Sequence, residues 1–290
     1  MDLTVDPDGL RADAAALEGS ADSRSAAWAC QAAASDAVSA HLATALTAWA
    51  QSLHLLLEHA GKQRTAGGLA VSGTAAALSG ADTDNAAAIN GILNGSSAPS
   101  AAAAAPSPAG IADIPLPSLP ALPSLAPPTP MAPEQIAALV HSGPGPGSLR
   151  AFAGHIRTAL APTVLDTAAN VRSTGTSVGQ NWRDGHQQAA SNIASHADWL
   201  ESSLHPQMLA LASAADAAAR HTDTLIQNTP HPQEFTDLRQ RLNVALAHYN
   251  ASGGANAAQV EALSSELTKK RASAVGALQN FATAAPPTIS

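Results

Sequence analysis

Two long runs of apolar residues meet at Ser177-Val178-Gly179-Gln180-Asn181-Trp182-Arg183-Asp184-Gly185, and that junction restricts the fold more than any other stretch. Phe152, Ile156, Leu160, Val164, Ala168, Val171 and Val178 precede it, mostly three or four residues apart. Ile193, Leu200, Leu204, Leu211, Ala218 and Leu225 follow at similar spacing. Such spacing puts each set on one face of a helix. The runs therefore predict a helix, a tight reversal and a second helix folded back on the first. Trp182 ends the first seam, where its ring closes the open end of the hairpin. Asp184 and Gly185 supply the turn, Gly because it accepts positive φ and Asp as the cap of the next helix.

The same expectation extends to the whole chain. Alanine, the best helix former, dominates the sequence, and aromatic residues make up only 3% of it. The expected fold class is all-α: an elongated helical bundle of antiparallel hairpins with a Pro-rich linker. Four segments are expected: a helical hairpin over 1–95, a Pro/Ala/Ser-rich linker over 96–131, a helical domain over 132–283 and a tail over 284–290.

Local signals place the helices. Asp6-Pro7 reads as an N-cap followed by proline at the first helical position, and a second helix begins near Asp36. Its seam is Leu42, Leu46, Trp49, Leu53, Leu56 and Ala60, the period of helices packed nearly parallel or antiparallel. Leu42, Leu46, Trp49 and Leu53, with Ile193, Leu200 and Leu204, are the expected hairpin-packing residues. Gly61, Gly67, Gly68 and Gly73 are expected to loosen the continuation, each costing up to about 1 kcal/mol relative to Ala. Prolines between 106 and 130 favour extended chain over helix. Beyond them, Pro133 opens a short helix to about His141, and Pro162 and Pro206 are expected kinks. Thr229-Pro230-His231-Pro232 ends the long outgoing helix, and two further helices follow.

Several function classes find no support. The formal net charge is −8, and the basic residues cluster only at Lys269-Lys270-Arg271, read as a solvated helix face, so no nucleic-acid partner is expected. Cys30 is the single cysteine and reads as a small apolar filler. Neither a nucleophile elbow nor a phosphate loop occurs, and no catalytic residue is assigned. His54, Glu58 and His59 do not share one face, so no metal and no cofactor are expected, and histidines are read as surface residues. The N-terminus has no signal-peptide pattern, and no run is long and apolar enough for a transmembrane segment.

At this point the residues resemble a family. Gly143-Pro-Gly-Pro-Gly-Ser-Leu-Arg150 looks like the start of the second PPE-domain helix, and Trp182-Arg183-Asp184-Gly185 like that domain's W-x-G turn. Trp199-Leu200 and Thr229–Pro232 stand where PPE domains carry similar residues. Residues 1–95 are similar to the small EspC/WxG-type or PE-like hairpins, through Val5-x-Pro7-x-x-Leu10 and the run 36–60, and Trp28-Ala29-Cys30 resembles a degenerate W-x-G turn. The two parts together resemble the layout of EspB-like substrates of the mycobacterial type VII (ESX) secretion system.

That resemblance implies a non-enzymatic protein made in the cytoplasm and exported without a cleavable signal, to lie outside the cell or on its envelope. It implies the secretion ATPase as partner, together with a co-secreted hairpin protein or further copies of the chain, and raises contact with envelope lipid. The implied export signal is composite: Trp182, Asp184 and Gly185 on one hairpin, Leu78 and Asp82 on the other. The pattern departs from the family twice, since Gly stands at 185 rather than 184 and Leu78 replaces the tyrosine of a Y-x-x-x-D motif. The alternatives are a non-secreted adaptor whose Pro-Leu linker occupies a partner's groove, and an accessory of a hydrolase or toxin.

Overall fold

The computed structural model describes residues 5–20, 28–93, 130–183 and 187–284. Asp184, Gly185, nearly all of the 96–131 linker and the tail after residue 284 lie outside the described residues. The fold is all-α. Its helices are α1 (Pro7–Gly19), α2 (Ala37–Leu93), α3 (Pro133–Val140), α4 (Gly147–His155), α5 (Ala161–Asn181), α6 (Gln187–Trp199), α7 (His205–Asn228), α8 (Pro232–Ala251) and α9 (Ala257–Ala284). Among the described residues no sheet forms; Val5 and Trp182 make an isolated antiparallel bridge.

The helix starts follow from capping chemistry. Asp6 Oδ1 accepts from the backbone N–H of Asp8 at 3.1 Å and of Gly9 at 3.0 Å. Asp36 caps α2 in the same way, accepting from Val38 N at 3.0 Å and Ser39 N at 2.9 Å, while its other oxygen takes the Ser39 hydroxyl at 2.6 Å. His231 caps α8 through Nδ1 to Gln233 N, and Glu234 reaches back to His231 N at 2.9 Å, a capping box.

Pro162 and Pro206 each lie two residues beyond a π-turn, Ile156–Leu160 and Leu200–Leu204. A proline has no N–H for the i−4 carbonyl and its ring crowds that carbonyl; the wider π-turn takes up the mismatch without breaking the helix.

The expected loosening of α2 at its glycines does not occur. The helix is continuous for 57 residues. Gly68 explains part of this: a Cβ there would stand 2.8 Å from the Ala14 carbonyl oxygen. The missing side chain lets α1 lie directly on α2, and that packing offsets the poor intrinsic propensity.

The chain divides into two compact units. The first holds α1, α2 from Ser52 onward, and the segment from Ala159 to Met208. Its core includes Leu10, Ala14, Leu17, Val71, Val171, Val178 and Ala197. Leu53, Leu200 and Leu204 of the same unit are also buried, and Ile193 is half-buried against this core.

The second unit holds Trp28–Gln51, α3, α4 and the chain from Leu209. Here α8 and α9 pair and α3 packs on both. Leu42 and Leu46 are buried and Trp49 half-buried. Trp28 is buried at the head of a non-helical run that reaches Asp36. Gly143 abuts that run: a Cβ on it would lie 2.2 Å from the Ala33 carbonyl oxygen, and Gly145, at φ 76°, donates to the same oxygen at 2.9 Å. Burial pushes the Cys30 thiol up to about 11.

The basic triplet of α9 is not simply a solvated face. Arg271 Nε donates to Glu134 at 2.9 Å, Arg239 donates to the same carboxylate at 2.5 Å, and Lys270 pairs with Glu234. The partners lie on α3 and α8, far away in sequence, which is why the local pattern of α9 did not reveal them.

Candidate functional site

Trp182 closes α5 as its C-cap, with backbone φ −137° and ψ 85°, and its N–H donates to Val178 O at 3.0 Å. This extended conformation frees the backbone to pair sideways with Val5. One residue along on each strand, Asp6 N donates to Asn181 O at 2.7 Å. The start of α1 is thereby hydrogen-bonded to the end of α5.

Side chains repeat the arrangement. Trp182 and Leu78 both pack against the first unit's core, together with Val5, Ala189 and Ile193. On α2, Ser79 Oγ accepts from Arg11 Nη2 at 2.9 Å. Asp82 lies one helical turn beyond Leu78 and is exposed. Asp184 and Gly185, the other two candidates, lie outside the described residues. The structure thus gathers Trp182 and Leu78 on one core, with Asp82 on the solvent side of the same stretch of α2.

Sequence reasoning missed Asn181 and Asp13. Asn181 Nδ2 donates to Asp13 Oδ2 at 2.8 Å and to Ser177 Oγ at 3.2 Å. Asp13 is only 6% exposed. Asp13 stands three residues after Leu10 and four before Leu17, on the apolar side of α1, and only its partner 168 residues away explains an acid there. Asp198 and Glu201 are exposed and bracket Arg172, at 2.8 and 2.6 Å, binding α6 and its π-turn to α5. Among the described residues, no group of three His, Cys, Asp or Glu side chains is arranged to hold a metal ion. Nor, among them, is any helix long and apolar enough to cross a membrane.

The sequence profile of the PPE family matches residues 129–289, which takes in α3 through α9 and includes Trp182. The chain belongs to the PPE family. Its fold is similar over its whole length to solved structures. EspB from the ESX-1 type VII secretion system superposes with a TM-score of 0.69 at 19% identity, covering 99% of this chain and 94% of that one. A structure described as a mycobacterial protein gives 0.62 at 18% identity, covering 96% and 90%. Mycobacterium marinum EspB gives 0.59 at 13% identity, covering 99% and 93%. At these identities the likeness is one of fold. A search of curated protein sequences finds no match. In PPE-family terms, Trp182, Asn181 and Ile193 lie inside the matched region, whereas Val5, Asp13, Leu78 and Asp82 belong to α1 and α2, outside it.

Proposed function

We propose that this PPE-family chain is a secreted, non-enzymatic substrate or structural component of a type VII secretion system, acting through protein–protein contact. Its address is the end of the first unit: Trp182 at the close of α5 with Leu78 and Asp82 on α2, completed by Asp184 and Gly185. One observation carries the reading. In a PPE-family chain, Trp182 and Leu78, which we liken to the W-x-G turn and the Y-x-x-x-D motif, rest on the same apolar core. The EspB-like fold supports it as well. The secretion ATPase reads this surface before export, and a co-secreted hairpin protein or another copy of the chain is the partner outside the cell. The 96–131 segment serves as the tether between 1–95 and 132–283.

The test is fractionation of tagged wild-type, Trp182→Ala and Asp82→Ala proteins, in strains with and without a working type VII ATPase. Wild-type protein should reach the medium or envelope only when the ATPase works. Both variants should remain in the cytosol with their far-UV helicity unchanged. Normal export of Trp182→Ala would end the address role. Wild-type protein that stays folded in the cytosol of both strains would overturn secretion itself.

A further inference from the structure

Arg64 is the least expected residue of the first unit. It sits on α2 with 7% exposure, so its cation is almost wholly removed from water. Buried arginine is normally paired with a carboxylate, because an isolated charge loses its hydration without recompense. Among the described residues Arg64 makes no ion pair, and burial alone lowers its proton affinity, to about 10. Nη2 donates to Ser20 O at 3.0 Å, and Nη1 lies 3.2 Å from His196 Nε2. Nε is buried and has no hydrogen-bond partner there.

The neighbours sharpen the imbalance. His196 lies on α6, and its proton affinity falls to about 4 through burial first, then through the charges of Arg64 and His59. A neutral imidazole accepts from Arg64 and brings no counter-charge. His59 is itself buried, at 7% exposure. The expectation of surface histidines fails at His59, and His196 is half-buried. Among the described residues no carboxylate pairs with any of these three basic groups.

Arg64 and His196 line a cavity together with Gln63 and Asn192, and Leu17, Ala70, Val71 and Ile193 supply apolar wall. Its volume is about 330 Å³, at the low end of the range of small-molecule sites. Gly67 also lines it, and a Cβ there would meet nothing within 4 Å. A largely apolar cleft lined by a dehydrated guanidinium that pairs with no described carboxylate is complementary to an anion with a short apolar body.

We propose that this cleft binds a small apolar monocarboxylate, its carboxylate paired with Arg64 and its chain laid along the wall formed by α2 and α6. The carboxylate supplies an acceptor that Nε lacks among the described residues, and its charge offsets a cation that no described carboxylate pairs with. A carboxylate suits the planar fork of guanidinium geometrically as well. This site shares Ala189 and Ile193 with the core on which Trp182 and Leu78 rest, but it uses none of Trp182, Leu78 and Asp82 and goes beyond the secretion reading.

The probe is sodium octanoate, titrated below its micellar range into the full-length protein by isothermal calorimetry. Hexanoate tests chain length, octanol supplies the tail without the charge, and inorganic phosphate supplies charge without the tail. Octanoate should bind one per chain, about tenfold more tightly than hexanoate, while octanol and phosphate should each bind at least tenfold more weakly. Arg64→Met should lose tenfold or more in octanoate affinity. Gly67→Leu, which fills the cleft and leaves the cation, should also lose it. Should Arg64→Met lose its far-UV helicity, Arg64→Lys and Gly67→Leu decide. No saturable octanoate binding by the wild type overturns the proposal. Equal binding by folded Arg64→Met, or by Gly67→Leu, overturns it too.

Discussion

The side-chain amide of Asn181 donates to the Asp13 carboxylate at 2.8 Å, from the last turn of α5 to the middle of α1. The backbone carbonyl of the same asparagine accepts from Asp6 at 2.7 Å. The residue before Trp182 thus holds α1 twice. Asn181→Ala leaves a buried carboxylate without that donor, at an expected cost of about 1–3 kcal/mol. The urea midpoint should fall with an unchanged slope, and amide exchange across Pro7–Gly19 should quicken. Unaltered exchange there would mean that the side-chain bond adds nothing to the apolar contacts and the Asp6 backbone bond that hold α1.

Two adjacent glycines of α2 should respond in opposite directions. At Gly67 an added Cβ meets open space, so Gly67→Ala should raise stability by about 0.5–1 kcal/mol through helix propensity. At Gly68 the added atom meets the Ala14 carbonyl oxygen at 2.8 Å and Glu18 Cγ at 2.7 Å. Glu18 is flexible enough to swing away, but a backbone carbonyl is not. Gly68→Ala should cost about 1–3 kcal/mol. Thermal melts of the two variants decide; a Gly68→Ala melt at or above the wild type would contradict the close approach of α1 and α2.

The same pair shows what the sequence could reveal. Caps are local chemistry, so Asp6, Asp36 and the Pro230–Pro232 stretch marked helix boundaries that the structure has. Apolar period identified Leu42, Leu46, Leu53, Leu200 and Leu204, all of them buried. Glycine propensity is also local, and there it misled: the reason α2 stays whole is a helix that approaches it from elsewhere in the chain. Likewise Arg64 and His196 are 132 residues apart. No spacing rule connects them, and both residue types belong by default on a surface. Of the export candidates, Trp182 was legible because a lone large ring at the end of a seam must pack somewhere; its partner Val5 was noted only as a motif letter.

Glu134 offers a test in the second unit. Its burial pushes its carboxyl up, but its own backbone N–H together with Arg271 and Arg239 outweighs this, and it titrates below the usual 4.5. Glu234 is also lowered, chiefly by its hydrogen bond from Lys270. Both lowered values mean stability that is present above 4.5 and lost as pH falls below it. Glu134→Gln should lower stability at neutral pH by about 1–2 kcal/mol and should shrink the loss on going below pH 4.5. Amide exchange in α3 and α9 would report it. A variant with the wild-type acid sensitivity would remove Glu134 from the account.

His196 produces acid sensitivity of a different kind, at higher pH and in the first unit. Its folded value is about 4, against 6.5 for the free side chain. Between those values the unfolded chain holds a proton that the folded chain refuses. Stability is therefore complete above pH 6.5 and declines as pH falls toward 4; below that both states are protonated and the decline stops. At full burial the loss would be about 3 kcal/mol. The ring keeps some contact with water, so about half of that is expected. The groups that face it are Arg64 and His59 on α2, with Trp199 on its own helix at 6.0 Å between ring centroids. His196→Gln should flatten the profile between pH 6.5 and 4. Arg64→Met should narrow the window from its lower end, because removing the neighbouring cation lets the folded ring accept a proton sooner. Thermal melts of the three proteins across that range separate the causes. A wild-type slope retained in His196→Gln would assign the titration to another group, and an Arg64→Met profile matching the wild type would mean that burial and the His59 charge, without the guanidinium, hold the ring neutral.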